Sequence, residues 1–170
     1  MKMTTKTGCL KEAAEQIAVN TTGWVGQLPG QNESISRGQT FLSNEEGNLQ
    51  NIEVYSHIVP DPGKVILTLH DYDPQKKTWG PVISSSVVEI KQTDSGRWIS
   101  FHMPELHIAK GKFYGFKLIS KNGCVGIGEA SGSSMQPPFN PGQEWEFTHD
   151  NDQGNCFSYF SLAFKVGIRA

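Results

Sequence analysis

From Gly38 to the end of the chain, apolar and polar residues alternate with a period of two. Successive side chains of a β-strand point to opposite faces, so this alternation predicts strands. They fall near 39–43, 48–58, 64–72, 82–90, 97–103, 112–120, 123–129, 143–148 and 156–167. Turn chemistry separates them: Glu46-Gly47-Asn48, Pro60-Asp61-Pro62-Gly63, Asp73-Pro74, Asp94-Ser95-Gly96, Lys110-Gly111 and Asn122-Gly123. Asn122-Gly123 between two apolar runs is a hairpin signal. One stretch, 9–19, places Leu10, Ala13, Ala14, Ile17 and Ala18 at helical spacing and predicts a short helix. Residues 20–38 read as a connecting arm, and 130–142, with three prolines, as a long loop. The expectation is an all-β, jelly-roll type antiparallel β-sandwich with a short N-terminal helix and arm. Residues 1–37 would form the helix and arm, and 38–170 the sandwich.

Splitting each strand by parity separates a core set from a second set. Ile52, Val54, Ser56 and Ile58, then Val65, Leu67 and Leu69, then Ile99, Phe101 and Met103, then Tyr114, Phe116 and Leu118, read as core, and Phe160, Leu162, Phe164 and Val166 join them. The opposite parity carries Tyr55, His57, His70, Tyr72, Trp98, His102 and Tyr159. A solvent face would carry more Lys, Glu and Thr. Aromatics with a polar handle suit a face that meets a ligand or partner. A structural alternative is that cross-strand aromatic pairs stabilise the sheet and the N-terminal arm covers them. Trp79, in a Lys-Lys-Thr-Trp-Gly-Pro turn after Tyr72, reads as a lid or a stacking platform.

Charge narrows the function classes. The 170 residues include 15 Lys and Arg against 17 Asp and Glu, a net charge of −2. No basic face for nucleic acid follows from that balance. No run approaches 18 apolar residues, so no membrane span is expected. The N-terminus has no apolar signal-peptide core, which fits a cytoplasmic protein or a secreted one supplied without its leader. Cys9, Cys124 and Cys156 are odd in number and far apart, and read as free thiols rather than a disulfide framework, with a single Cys124–Cys156 bridge between strands as the alternative.

Several segments carry a resemblance. Gly38-Gln39-Thr40-Phe41-Leu42 followed by Gly47 to Tyr55 resembles the opening of extracellular jelly-roll modules. The leucine-rich run Val65 to Asp71, the strand Gly96-Arg97-Trp98-Ile99-Ser100-Phe101, and Ile108 to Tyr114 with Gly111 are similar to later strands of the same class. The class is the galactose-binding-like and carbohydrate-binding-module β-sandwich, and the similarity spans about residues 38–130. It implies a fold, a carbohydrate ligand and a structural calcium. Asp71 and Asp73 offer hard oxygen donors at alternate positions for that ion, as does the Asp150-Asn151-Asp152 run, which otherwise reads as a solvated turn.

Catalytic motifs are lacking. There is no G-x-S-x-G elbow, no P-loop and no complete dinucleotide fingerprint. His57, His70 and His102 share a parity but have no close His-x-His pairing for zinc. Glu53, Glu89, Glu129, Glu144 and Glu146 could supply a glycosidase pair only if two converge across a cleft. The expectation is therefore a non-catalytic carbohydrate-binding module. Tyr55, Tyr72, Trp98 and Tyr159 would stack on sugar rings, His57, His70 and His102 would add polar contacts, and Trp79 joins the ligand-binding residues as a lid or a platform. Two alternatives stand beside it: a structural or assembly protein using that face for a protein partner or homo-oligomer, and a small glycoside hydrolase or lyase.

Overall fold

The computed structural model describes residues 8–170. The strands are β1 (Leu10–Gln16), β2 (Thr21–Gln27), β3 (Ser34–Leu42), β4 (Gly47–Asp61), β5 (Gly63–Asp73), β6 (Thr78–Ile90) and β7 (Arg97–His102). They continue with β8 (His107–Ile108), β9 (Phe113–Ser120), β10 (Cys124–Ser131), β11 (Glu144–Phe147), β12 (Asn155–Phe157), β13 (Phe160–Leu162) and β14 (Phe164–Arg169). A single 3-10 turn, Gln92–Asp94, is the only helical element among the described residues.

The main path runs β1-β14-β4-β10-β2-β3-β9-β5-β6, with neighbours antiparallel. The path folds over at β3. Ser34 and Ile35 pair with β2, whereas Arg37 to Leu42 pair with β9, so β3 passes from one layer into the other. The first layer holds β1, β14, β4, β10 and β2, with β7, β8 and β13 attached. The second holds β9, β5 and β6, with β11 and β12 attached through β3. The fold is an antiparallel β-sandwich.

Parity explains the core. Val65, Leu67 and Leu69 on β5, Ile99 and Phe101 on β7, and Tyr114, Phe116 and Leu118 on β9 are all buried. Phe164 on β14 meets Phe41 and Phe116 of the other layer at 5.9 and 5.6 Å between ring centroids. Full burial of a ring this size contributes about 1.5–3 kcal/mol, and these contacts hold the layers together.

Two departures from the sequence expectation have local causes. Residues 10–16 form an edge strand on β14, not a helix. The register shifts between Glu12 and Ala14, so Ala13 and Ala14 are both buried where simple alternation would expose one. A helix this short is marginal alone, and the open edge of β14 satisfies its backbone instead. In β4 the parity flips. Ser56 and Ile58 oppose adjacent residues of β10, so His57 is the extra residue of a bulge. Ile58 is thereby exposed and Val59 buried. Residues 21–27, read as arm, are β2, paired with β10 from Thr21 to Gly26.

Candidate functional site

The outer face of the second layer carries an aromatic cluster assembled from three strands, β5, β6 and β11. Trp79 leaves the edge strand β6 and reaches inward across β5 to β9 and β3. It can do so because those strands carry glycine beneath it. A Cβ on Gly38 would fall 2.9 Å from Trp79 Cη2, and one on Gly115 2.6 Å from the same atom. Around the indole stand His70, Tyr72, Trp145 and Phe147, with ring centroids 5.5–5.8 Å away and interplanar angles of 69–88°. Such edge-to-face contacts are favourable for aromatic quadrupoles. Burial pushes the Tyr72 hydroxyl up to about 12.

His70 fixes this arrangement. Its Nδ1 lies 2.9 Å from the Gly80 carbonyl, which can only accept, so Nδ1 carries the proton. Nε2, 2.8 Å from the Thr68 hydroxyl, accepts from it. Burial holds the imidazole pKa below its usual value, consistent with this neutral, doubly bonded ring. His70 therefore ties β5 to the residue following Trp79. Lys117 closes the cluster from above, its Nζ 4.2 Å from the Phe147 centroid and 4.9 Å from that of Trp79. Burial lowers the Lys117 pKa.

Two open cavities flank the cluster. One, of ≈ 550 Å³, is lined by Lys76, Lys77, Thr78, Trp79, Lys117, Trp145 and the turn Asp152-Gln153-Gly154. The other, of ≈ 500 Å³, lies between Tyr72, Phe113, Lys77 and the 134–143 loop. Lys77 lines both, and with φ of 52° it is the one non-glycine residue described in the left-handed region.

The eight residues singled out from the sequence do not share one face. His70, Tyr72 and Trp79 belong to this second-layer cluster. Tyr55, His57 and Trp98 lie together on the first layer, where the Tyr55 and Trp98 rings meet edge-on at 5.5 Å and Lys165 sits 4.2 Å from the Trp98 centroid. His57 Nδ1 and the Thr22 hydroxyl are 2.7 Å apart. His102 is exposed further along, opposite Asn51. Tyr159 is in the turn between β12 and β13, against Phe157 and Phe160. Parity assigns a residue to one side of its own strand, but in a sandwich each layer has its own outer side.

The carboxylates are engaged. Asp71 pairs with Lys112 at 2.7 Å, and Asp73 Oδ1 accepts from the backbone N–H groups of Gln75 and Lys76. Among the described residues no three His, Cys, Asp or Glu side chains are grouped to hold a metal ion. Three glutamates do converge, but inside the sandwich. Arg37 lies 3.8 Å from both Glu129 and Glu144 and 3.4 Å from Glu146. Glu144 is fully buried, and burial together with the Glu129 carboxyl holds its pKa well above the usual range. A glycosidase pair must flank a substrate-filled cleft, and these side chains face the interior.

Trp145, Phe147, Lys117, Lys76 and Lys77 were missed as site residues. A signal for them existed in Gly38 and Gly115, because glycine inside a strand marks close approach by another group.

No protein-family model matches the chain, and no curated protein matches it. Among solved structures it is similar to the clostridial cysteine protease Cwp84 after propeptide cleavage, with a TM-score of 0.56 and 10% identity over 95% of this chain. The chain spans 40% of the length of that protein. A second structure, of the cysteine protease and lectin-like domains of Cwp84, a surface-layer-associated protein of Clostridium difficile, gives 0.48 and 10% over 82% of this chain and 32% of that one. At this identity the first likeness is one of fold: a β-rich architecture spanning nearly all of this chain.

Proposed function

We propose that the protein is a non-catalytic carbohydrate-binding module of the galactose-binding-like sandwich type, with its ligand groove on the outer face of the second layer. The observation that carries this reading is the half-buried Trp79, held on a glycine floor with part of its indole lining an open cavity. Sugar rings present flat C–H faces to aromatic rings and hydroxyls to polar groups. A mostly preformed cavity with a few fixed polar groups is the usual form of such a site. The first-layer trio of Tyr55, His57 and Trp98 supports the reading less, because neither of the two large cavities is lined by these side chains.

The test is affinity electrophoresis in gels containing soluble polysaccharides, with wild type, Trp79→Ala and Trp98→Ala, and circular dichroism to follow folding. Loss of a central Trp anchor costs about 2 kcal/mol or more, roughly thirtyfold in affinity. The expected result is that loss for Trp79→Ala and near-wild-type retardation for Trp98→Ala. Should Trp79→Ala fail to fold, the Trp79 indole N–H resonance of the wild type, followed during titration, reports the same contact. Retardation lost only in Trp98→Ala would move the site to the first layer. An absence of retardation by every polysaccharide would sink the carbohydrate reading.

A further inference from the structure

We infer that the groove beside Trp79 takes an acidic glycan, a chain of sugars bearing carboxylate or sulfate groups, in preference to a neutral one. This deepens the carbohydrate reading above and rests on it. The whole chain has a net charge of −2, yet the cavity holding Trp79 is lined by Lys76, Lys77 and Lys117 against a single acidic residue, Asp152. Among the described residues, none of the three lysines is within ion-pair distance of a carboxylate. The positive charge is thus local and available, and a cleft lined by one sign concentrates the field that attracts an opposite charge.

Lys117 is held rather than merely present, and Lys77 stands between the two cavities. Lys117 is half-buried, its ammonium fixed over the Trp79 and Phe147 rings. A pre-placed cation loses less side-chain freedom on pairing than a free surface lysine. Lys77 occupies a backbone conformation with φ of 52°, where glycine would sit without strain, and it lines both cavities. A polymer running from one cavity to the other passes its side chain. An acidic sugar matches this combination: apolar ring faces for the aromatics and a regularly placed anion for the lysines.

The experiment compares polygalacturonate with its fully methyl-esterified form, and dextran sulfate with dextran. Each pair shares a backbone and differs in charge, and the two pairs separate carboxylate from sulfate. Wild type is titrated beside Lys76→Gln/Lys77→Asn, since asparagine tolerates the left-handed backbone. At least one acidic member is expected to bind about tenfold more tightly than its neutral partner and to weaken between about 0.05 and 0.5 M salt, where the screening length falls several-fold. The double variant is expected to lose about three- to tenfold on the acidic polymer, the scale of two partly exposed ion pairs. Equal affinity for charged and neutral forms, with dependence on Trp79 intact, overturns the acidic preference and leaves the carbohydrate reading standing. No binding to any of the four overturns both. Tighter binding to a single-stranded dT oligomer than to either acidic glycan also overturns it, in favour of a general polyanion site.

Discussion

Trp79 occupies the space in which a Gly115 side chain would stand. A Cβ built on Gly115 would fall 2.6 Å from the indole Cη2, so the tryptophan from the edge strand and the glycine two strands inward are one packing unit. Gly115→Ala should therefore act on the groove without touching its lining. Forced overpacking of this kind costs about 1–3 kcal/mol. The expected result is a lower urea midpoint, an altered near-ultraviolet dichroism of the displaced indole, and weaker glycan retardation. Unchanged dichroism in a stable Gly115→Ala protein would contradict the packing described.

Trp98→Ala should separate stability from binding. The ring's neighbours are Tyr55 and Lys165, an aromatic pair and a cation–π contact worth about 1–2 kcal/mol together. Chemical denaturation is expected to reveal that loss, while affinity for any glycan bound by wild type stays unchanged.

Stability should fall as pH rises above the carboxylate range because of Glu144. Its folded pKa is raised well above the ordinary 4.5 by burial and by the Glu129 carboxyl. The folded protein keeps a proton that the unfolded chain has released, so this group's contribution is complete below about 4.5 and is lost as pH climbs through the folded value. Glu144→Gln, which stays neutral, is expected to flatten the dependence and raise the melting temperature at pH 8. A wild-type profile that rises through this window, with no change in the variant, would refute the assignment.

Arg37 answers three carboxylates from inside the sandwich. Removing one side of a buried ion network leaves uncompensated charge and costs about 3–5 kcal/mol. Arg37→Met is expected to show that loss by urea denaturation at pH 7 and to recover part of it near pH 5. A loss below about 1 kcal/mol would mean the network is solvated.

Much of the sandwich was legible in the alternation alone. Leu67 and Phe116 face inward as their parity predicts, because a strand with one buried side must keep its register. What alternation could not supply was which strands lie together. Trp98 and Tyr72 both carry the outward parity, yet they belong to different layers, and only long-range pairing decides that. Local rules failed where tertiary pairing overrode them. Leu10 to Gln16 carries a helical spacing and is a strand because β14 needs an edge partner. Ile58 has core parity and is exposed because His57 is a bulge. Lys117 could be placed in a strand from the sequence, but its position over two rings required knowing that β9 lies beside β3, which carries β11.

The pairing of Leu10 with Arg169 has a consequence for how the molecule is made. β1 is synthesised well before β14, its only strand partner among the described residues. Contacts this distant in sequence are slow to form, and a waiting strand is open to wrong partners. Leu10 and Ile17, exposed in the folded protein, are exposed through that interval as well. β1 cannot pair until β14 has been made, so the interval between the two is when that edge most needs protection from aggregation.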